Sequence, residues 1–225
     1  MNPEKYAVNY ANKVLSPSLK HPFGTDFVGR DMFYRCVKGL SNSIVIGILA
    51  SIVSSIVALI FGIAAAVFGK WVDKVVNWGV DLCMGLPHLV LLMLISFMLG
   101  KGVKGVTIAV ALTHWPSLTR IVRSEVMQIR SSQYVQAAYK MGISKWKVAV
   151  THIVPHVLPS YLIGLVLLFP HAIMHEASIT FLGFGLPAEM PAIGVILSEA
   201  MKHLATGKWW LALFPGLLLL IAVVL

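Results

Sequence analysis

The stretch "SNSIVIGILASIVSSIVALIFGIAAAVFG", residues 41–69, decides the fold. It carries no charged side chain, and its apolar residues are continuous rather than alternating. Crossing a hydrocarbon core of roughly 30 Å takes about 20 residues of helix, and this stretch exceeds that length. Inside lipid every backbone N–H and C=O needs an internal partner, so only helices and closed barrels cross it. A continuous apolar run selects the helix. Gly47, Ser51, Ser54, Ser55, Ala58, Gly62 and Ala64 give it small faces on which other helices can pack closely.

The rest of the chain agrees. Hydrophobic residues make up 58% of 225 positions and charged residues 12%, with a mean hydropathy of +0.83; soluble domains carry about 25% charged residues. Four further spans are expected at about 82–99, 106–121, 157–182 and from Trp209 onward. Between the first two lies "KWVDKVVNWGVD", amphipathic at helical spacing, with Trp71 and Trp78 suited to an interface. "GFGLPAEMPAIG" reads as an irregular loop and "VILSEAMKHLATG" as a short amphipathic helix. The fold class is therefore an all-α polytopic membrane protein of about five spans. The chain is still apolar at Leu225, which leads us to expect a C-terminally trimmed sequence.

Loop charges set the orientation. Lys70 and Lys74, then Arg120, Arg123, Arg130, Lys140, Lys145 and Lys147, fall in two loops on one side. The alternate loops hold only Lys101, Lys104, Lys202 and Lys208. The positive-inside bias puts the first group in the cytoplasm. Residues 1–40, polar and turn-rich, then become an extracytoplasmic segment ahead of a transmembrane domain at 41–225, although they carry six basic residues. The net charge of +9 belongs to this bias and does not indicate nucleic-acid binding.

One segment interrupts the spans: "YVQAAYKMGISKWKVAVTHIVPHVLP", residues 134–159. Ser131 and Ser132 can cap a first helix, and Gly142 stands where a helix end takes a left-handed residue. Ser144 caps a second helix to about Ile153, and Pro155 disfavours helical geometry just before it. Ala137 and Ala138 leave a bare patch for another protein surface. The result is a cytoplasmic helical hairpin at 131–155, basic on one side and joined rigidly to a span. A lever suits that description; a re-entrant or merely amphipathic loop fits the same residues.

"QAAYKMG", with "HIVP" ten residues beyond the glycine, resembles the Glu-Ala-Ala signature of permease subunits of binding-protein-dependent ABC importers. Ala137, Ala138, Gly142 and Pro155 match, while Gln136 stands where the signature commonly has glutamate. "HPFGTDFVGRD", "YVQAAYKMGISKWKV", "EASITFLGFG" and "WWLALFPG", in that order, resemble the second permease of the dipeptide, oligopeptide and nickel importers. The resemblance implies a type I ABC importer transmembrane fold of six spans in a prokaryotic plasma membrane, with one span ahead of the "HPFGTD" loop. It implies a homologous permease partner, an extracytoplasmic substrate-binding protein and two cytoplasmic ATPases. Those ATPases carry ATP and magnesium and dock on the hairpin through Gln136, Ala137, Ala138, Gly142 and Pro155. The permease itself is then not an enzyme.

Histidines supply the candidate path. His88, His114, His171 and His175 fall in or near spans, where ionisable groups usually face a bundle interior or a watery path. In "FPHAIMHEAS", His171 and His175 are four apart, on one helix face, with Glu176 adjacent. Two imidazoles at that spacing can share nickel or zinc, or simply bond backbone carbonyls across helices. His171, His175 and Glu176 are thus candidate path residues, with His171 and His175 as metal ligands, and the cargo stays open between nickel or a metal chelate and di- or oligopeptides. "GTDFVGRD" lacks the Gly-Lys-Ser/Thr ending of a phosphate loop, and no nucleophile–base–acid trio stands out. The competing class is a membrane scaffold or receptor whose hairpin recruits a cytoplasmic partner without transport.

Overall fold

A computed structural model describes residues 7–224, and the described residues are helical apart from loops and one isolated bridge between Thr25 and Asp31. The main helices are α1 (Met32–Val67), α2 (Lys70–Gly85), α3 (His88–Met98), α4 (Gly102–Arg130), α5 (Gln133–Lys140), α6 (Lys145–Val148), α7 (Val154–Phe181), α8 (Ile193–Met201) and α9 (Trp210–Val224). Two stretches, Met32–Val67 and Lys145–Phe181, are long and apolar enough to cross a membrane. By length and composition, α2 and α3 together qualify as a third crossing if they form one broken span.

Three expectations are revised. The second span, expected as one run over 82–99, is divided at Leu86 and Pro87, where α2 and α3 bend by 97°. Proline lacks the N–H that would carry the helix through and pushes the residue before it out of helical geometry; Leu86 is extended. The third expected span, 106–121, is part of a longer α4 whose second half carries Arg120, Arg123, Glu125 and Arg130. Finally, α1 begins at Met32, so the boundary expected at residue 40 falls inside a helix.

The chain forms two compact units. The first comprises Met1–Ile48, Leu92–Ala109 and Pro170–Leu225. Its loop before α1 is tied down by buried Thr25, whose hydroxyl donates to the Asn12 carbonyl while accepting the Leu15 N–H at 2.8 Å. Asp31 starts α1 by accepting the N–H groups of Phe33 and Tyr34, and its other oxygen lies 2.6 Å from His21 Nδ1. Such a side chain satisfies donors that a helix start leaves without partners. Met32, Cys36, Ile193, Ile196, Trp210 and Leu211 form the apolar core beneath it. Arg35, 2% exposed, is held by Asp26 and Glu199, and Arg30 bridges the same two carboxylates. Glycine permits the closest approach. A Cβ on Gly194 would lie 2.3 Å from the Ala177 carbonyl oxygen, so α8 meets α7 backbone to backbone.

The second unit comprises Leu49–Leu91 and Val110–Phe169. Its core gathers Ala58, Val67, Leu118, Val122, Val126 and Tyr161 with residues of the α5–α6 hairpin. Gly62 and Gly164 fit against Val122 and Leu118, where a Cβ would come within 2.6 and 2.3 Å of those side chains. Small residues admit such contacts between membrane helices, and Ser55 adds a 3.1 Å bond to the Tyr161 hydroxyl. At the polar ends, Asp73 on α2 pairs with Arg123 on α4, and Arg130 donates to the Ala66 carbonyl at 2.6 Å.

Candidate functional site

The hairpin is built by local rules. Helix α5 closes with the Ile143 N–H on the Ala138 carbonyl and the Gly142 N–H on the Tyr139 carbonyl. These two bonds make a Schellman closure, which needs a left-handed residue where Gly142 stands. Its φ is +79°, as the sequence predicted. Ser144 then caps α6 by accepting the Lys147 N–H at 3.4 Å, again as expected. Ser131 and Ser132 do not cap α5 through their side chains; both hydroxyls donate back, to the Gln128 and Ile129 carbonyls at 2.7 and 2.6 Å. Gln136 Nε2 donates to the Arg130 carbonyl at 2.8 Å, which fastens α5 to the end of α4.

The join to the span differs from expectation. Pro155 does not end the helix. Instead Ala149–Ile153 forms a π turn, in which the Val154 N–H reaches back to the Ala149 carbonyl, and α7 continues without a break. A π turn widens the helix by one residue, which gives the ring of Pro155 room and absorbs its missing donor. The rod from Lys145 to Phe181 is therefore continuous over 37 residues. Tyr134 sets its ring beside both His152 and His156, with centroids 6.2 and 5.8 Å apart, so these histidines pack α5 against the rod.

The hairpin has two faces. Val135, Ala138, Val148, Ala149 and Ile153 are buried in the core of the second unit, while Gln136, Ala137, Lys140, Met141, Lys145, Trp146 and Lys147 are exposed. Ala138 is thus part of the core and not of a bare patch, because it lies three residues from buried Val135 on the same face of α5. Trp146 and Met141, 65% and 73% exposed, are the large apolar residues on the open face. Sequence reasoning named neither, although a tryptophan flanked by two lysines was the available signal.

The other candidates separate. His171 is exposed, His175 is half-buried, and Glu176 is wholly buried with its Oε1 accepting from the Thr180 hydroxyl at 2.9 Å. No group of three possible metal ligands among the described residues includes His171. In the second unit, His88 and His114 bring their rings to 4.8 Å in an edge-on arrangement, with His114 Nδ1 2.9 Å from the Val110 carbonyl.

With this geometry in view, comparison with known proteins places the chain. It is 30% identical over 202 residues to the dipeptide transport system permease protein DppC of Bacillus subtilis (strain 168), covering 90% of this chain and 63% of that one. It is 32% identical over 215 residues to the DppC of Alkalihalophilus pseudofirmus, covering 96% and 70%. It is 33% identical over 208 residues to the oligopeptide transport system permease protein OppC of Bacillus subtilis, covering 92% and 68%. The chain thus spans 63% of the length of the first of these relatives. In fold it resembles a chain from inward-facing structures of the MetNI methionine ABC transporter, with a TM-score of 0.71 at 16% identity over 85% of this chain and 91% of that one. Residues 58–225 match the family described as the binding-protein-dependent transport system inner membrane component. This all-helical, multi-pass plasma-membrane protein belongs to that family.

Proposed function

We propose that this chain is one of two permease subunits of an ATP-driven importer of di- or oligopeptides. The observation that supports this most is the hairpin: an exposed, glycine-closed surface rooted in the core, on a chain whose named relatives are peptide permeases. In this reading the ATPases dock on the open face formed by Gln136, Ala137, Gly142 and Trp146, with Ala138 and Pro155 shaping it from behind. Binding of ATP, with magnesium, closes the ATPases, and the hairpin moves with them. The rod running from Lys145 to Phe181 carries that displacement into the membrane. Coupling requires that the ATPases contact the hairpin differently in their two states. In this reading a binding protein delivers cargo on the extracytoplasmic side, to which the loop charges assign the polar segment ahead of α1, and a homologous permease completes the path. Nickel and metal chelates find no support among the named relatives, which are dipeptide and oligopeptide permeases.

The test is uptake into vesicles holding this chain with its permease partner and ATPases, supplied with binding protein and ATP. A labelled dipeptide is expected to accumulate and radioactive nickel is not. Accumulation of nickel alone would restore the metal reading, and accumulation of neither by a correctly assembled complex would remove the importer. Orientation is checked separately. Cysteines at Lys104 and Glu189, both exposed, are expected to react with an impermeant thiol reagent on whole cells. Those at Lys74 and Lys145, also exposed, are expected to react only once the membrane is opened. The reverse pattern would overturn the charge reading.

A further inference from the structure

The first unit holds a cavity of about 250 Å³ between the loop before α1 and α8. Phe27, Met32, Ile196 and Leu211 give it an apolar floor. Its charged wall is unbalanced: Arg30, Arg35 and Lys202 face only Asp26 and Glu199. Arg30 Nε bonds Asp26 at 2.6 Å and its Nη2 reaches Glu199 at 3.2 Å, while Arg35 Nη1 is shared between the same two carboxylates. One donor is left over. Arg35 is 2% exposed, lines the cavity, and its Nη2 has no hydrogen-bond partner among the described residues. Buried charged donors are nearly always satisfied, and a lone one points to an acceptor that the protein alone does not supply.

The acceptor has a definable chemistry. Charged donors and a surplus of one cation select an anion carrying a single charge, which favours a carboxylate over a phosphate. An acidic side chain brings only a short methylene stem and would leave the apolar floor uncovered. A peptide's last residue brings both parts, a carboxylate and a side chain of its own. We infer that this cavity binds the C-terminal residue of a peptide, with its carboxylate on Arg35 Nη2, Lys202 at the mouth and an apolar side chain on the floor. The inference rests on the peptide-importer reading and adds a recognition element to it. A free cargo peptide and the tail of an associated protein present the same group.

The experiment titrates the assembled complex in lipid nanodiscs with radiolabelled N-acetylphenylalanine, using N-acetylphenylalaninamide as the uncharged analogue. Saturable binding is expected, with the amide competing at least about tenfold less well, since it lacks the charge-assisted bond. Lys202→Gln is expected to weaken binding several-fold without disturbing the Arg35 pairs. Ala200→Leu, which fills the cavity and removes no charge, is expected to abolish it. Subunit stoichiometry measured on the same samples separates loss of the site from loss of assembly. Displacement of the probe by alanylphenylalanine identifies free peptide as the source, and displacement only by added binding protein identifies a protein tail; either supports the site. Absence of saturable binding, equal competition by the amide, or unaltered binding in both variants overturns it. If binding is absent while ATP-driven dipeptide uptake persists, the site falls and the importer stands. If binding persists while uptake is absent, the site stands and the importer reading falls.

Discussion

Replacing Gly142 with valine is expected to cut peptide-stimulated ATP hydrolysis by the assembled importer about tenfold or more, while its subunits still assemble. The residue sits at φ +79° with nothing within 4 Å of where a Cβ would project, so the penalty comes from the backbone and not from crowding. Left-handed geometry costs an ordinary L-residue roughly 1–2 kcal/mol, and a β-branched side chain there is a genuine outlier. Because the turn is exposed, the cheapest relief is to abandon it. The Ile143–Ala138 and Gly142–Tyr139 bonds then go, and the open face is re-aimed while the core beneath stays filled. A series sharpens the test: Gly142→Asn should come closest to the parent, Gly142→Ala should fall between, and Gly142→Val should be worst. Peptide stimulation that survives valine at full strength would mean that the hairpin is not the coupling element.

A second large effect is expected at Gly194, and it should be a loss of folded protein. A Cβ there would sit 2.3 Å from the Ala177 carbonyl oxygen, 2.8 Å from Thr180 Cβ and 2.9 Å from the Phe181 N. Two of these three are main-chain atoms of α7, so no rotamer change relieves the clash. Overpacking costs about 1–3 kcal/mol where neighbours can shift, and Gly194→Val should lie at or beyond the upper end. The yield of monodisperse protein and its Tm in detergent are the readouts. Gly216→Ala is the control, since nothing lies within 4 Å of its Cβ position and alanine favours helix. Equal yields from the two would contradict the close approach of α8 to α7.

What could be read from the sequence was whatever local chemistry decides. An uncharged stretch longer than a bilayer announced α1, and Gly142 with Ser144 announced the hairpin turn, because caps and left-handed closures depend on a few adjacent atoms. The true start of α1 was hidden. Arg35 and Lys38 look like the end of a polar segment until Asp26 and Glu199 are seen around the first of them, and Glu199 is 164 residues away. Proline's effect depends on its surroundings in both directions: Pro87 divides the apolar stretch 82–99, while Pro155 sits in a helix that accommodates it through the adjoining π turn. The histidines show a related limit of local pattern. Spacing of four places His171 and His175 on one helix side, but spacing does not tell how that side is covered, and one is exposed while the other is half-buried. The approach of His88 to His114 depends on how α3 returns against α4, which no local pattern encodes.

The π turn at Ala149–Ile153 also governs rotational phase. Buried positions recur there every four residues, at Ala149, Ile153, Val157 and Tyr161. On an unbroken α-helix of 3.6 residues per turn, such a stripe would wander around the axis by about 40° at each repeat. A wider turn takes up part of that drift and keeps the stripe against one core. The hairpin and the span are thus set to a common azimuth by a single surplus residue. Deleting Val150 would leave each half of the rod helical and its contacts locally plausible, yet turn one half against the other by about 100°, the angle of one residue. The register of this joint, more than its stiffness, decides which side of the hairpin looks outward.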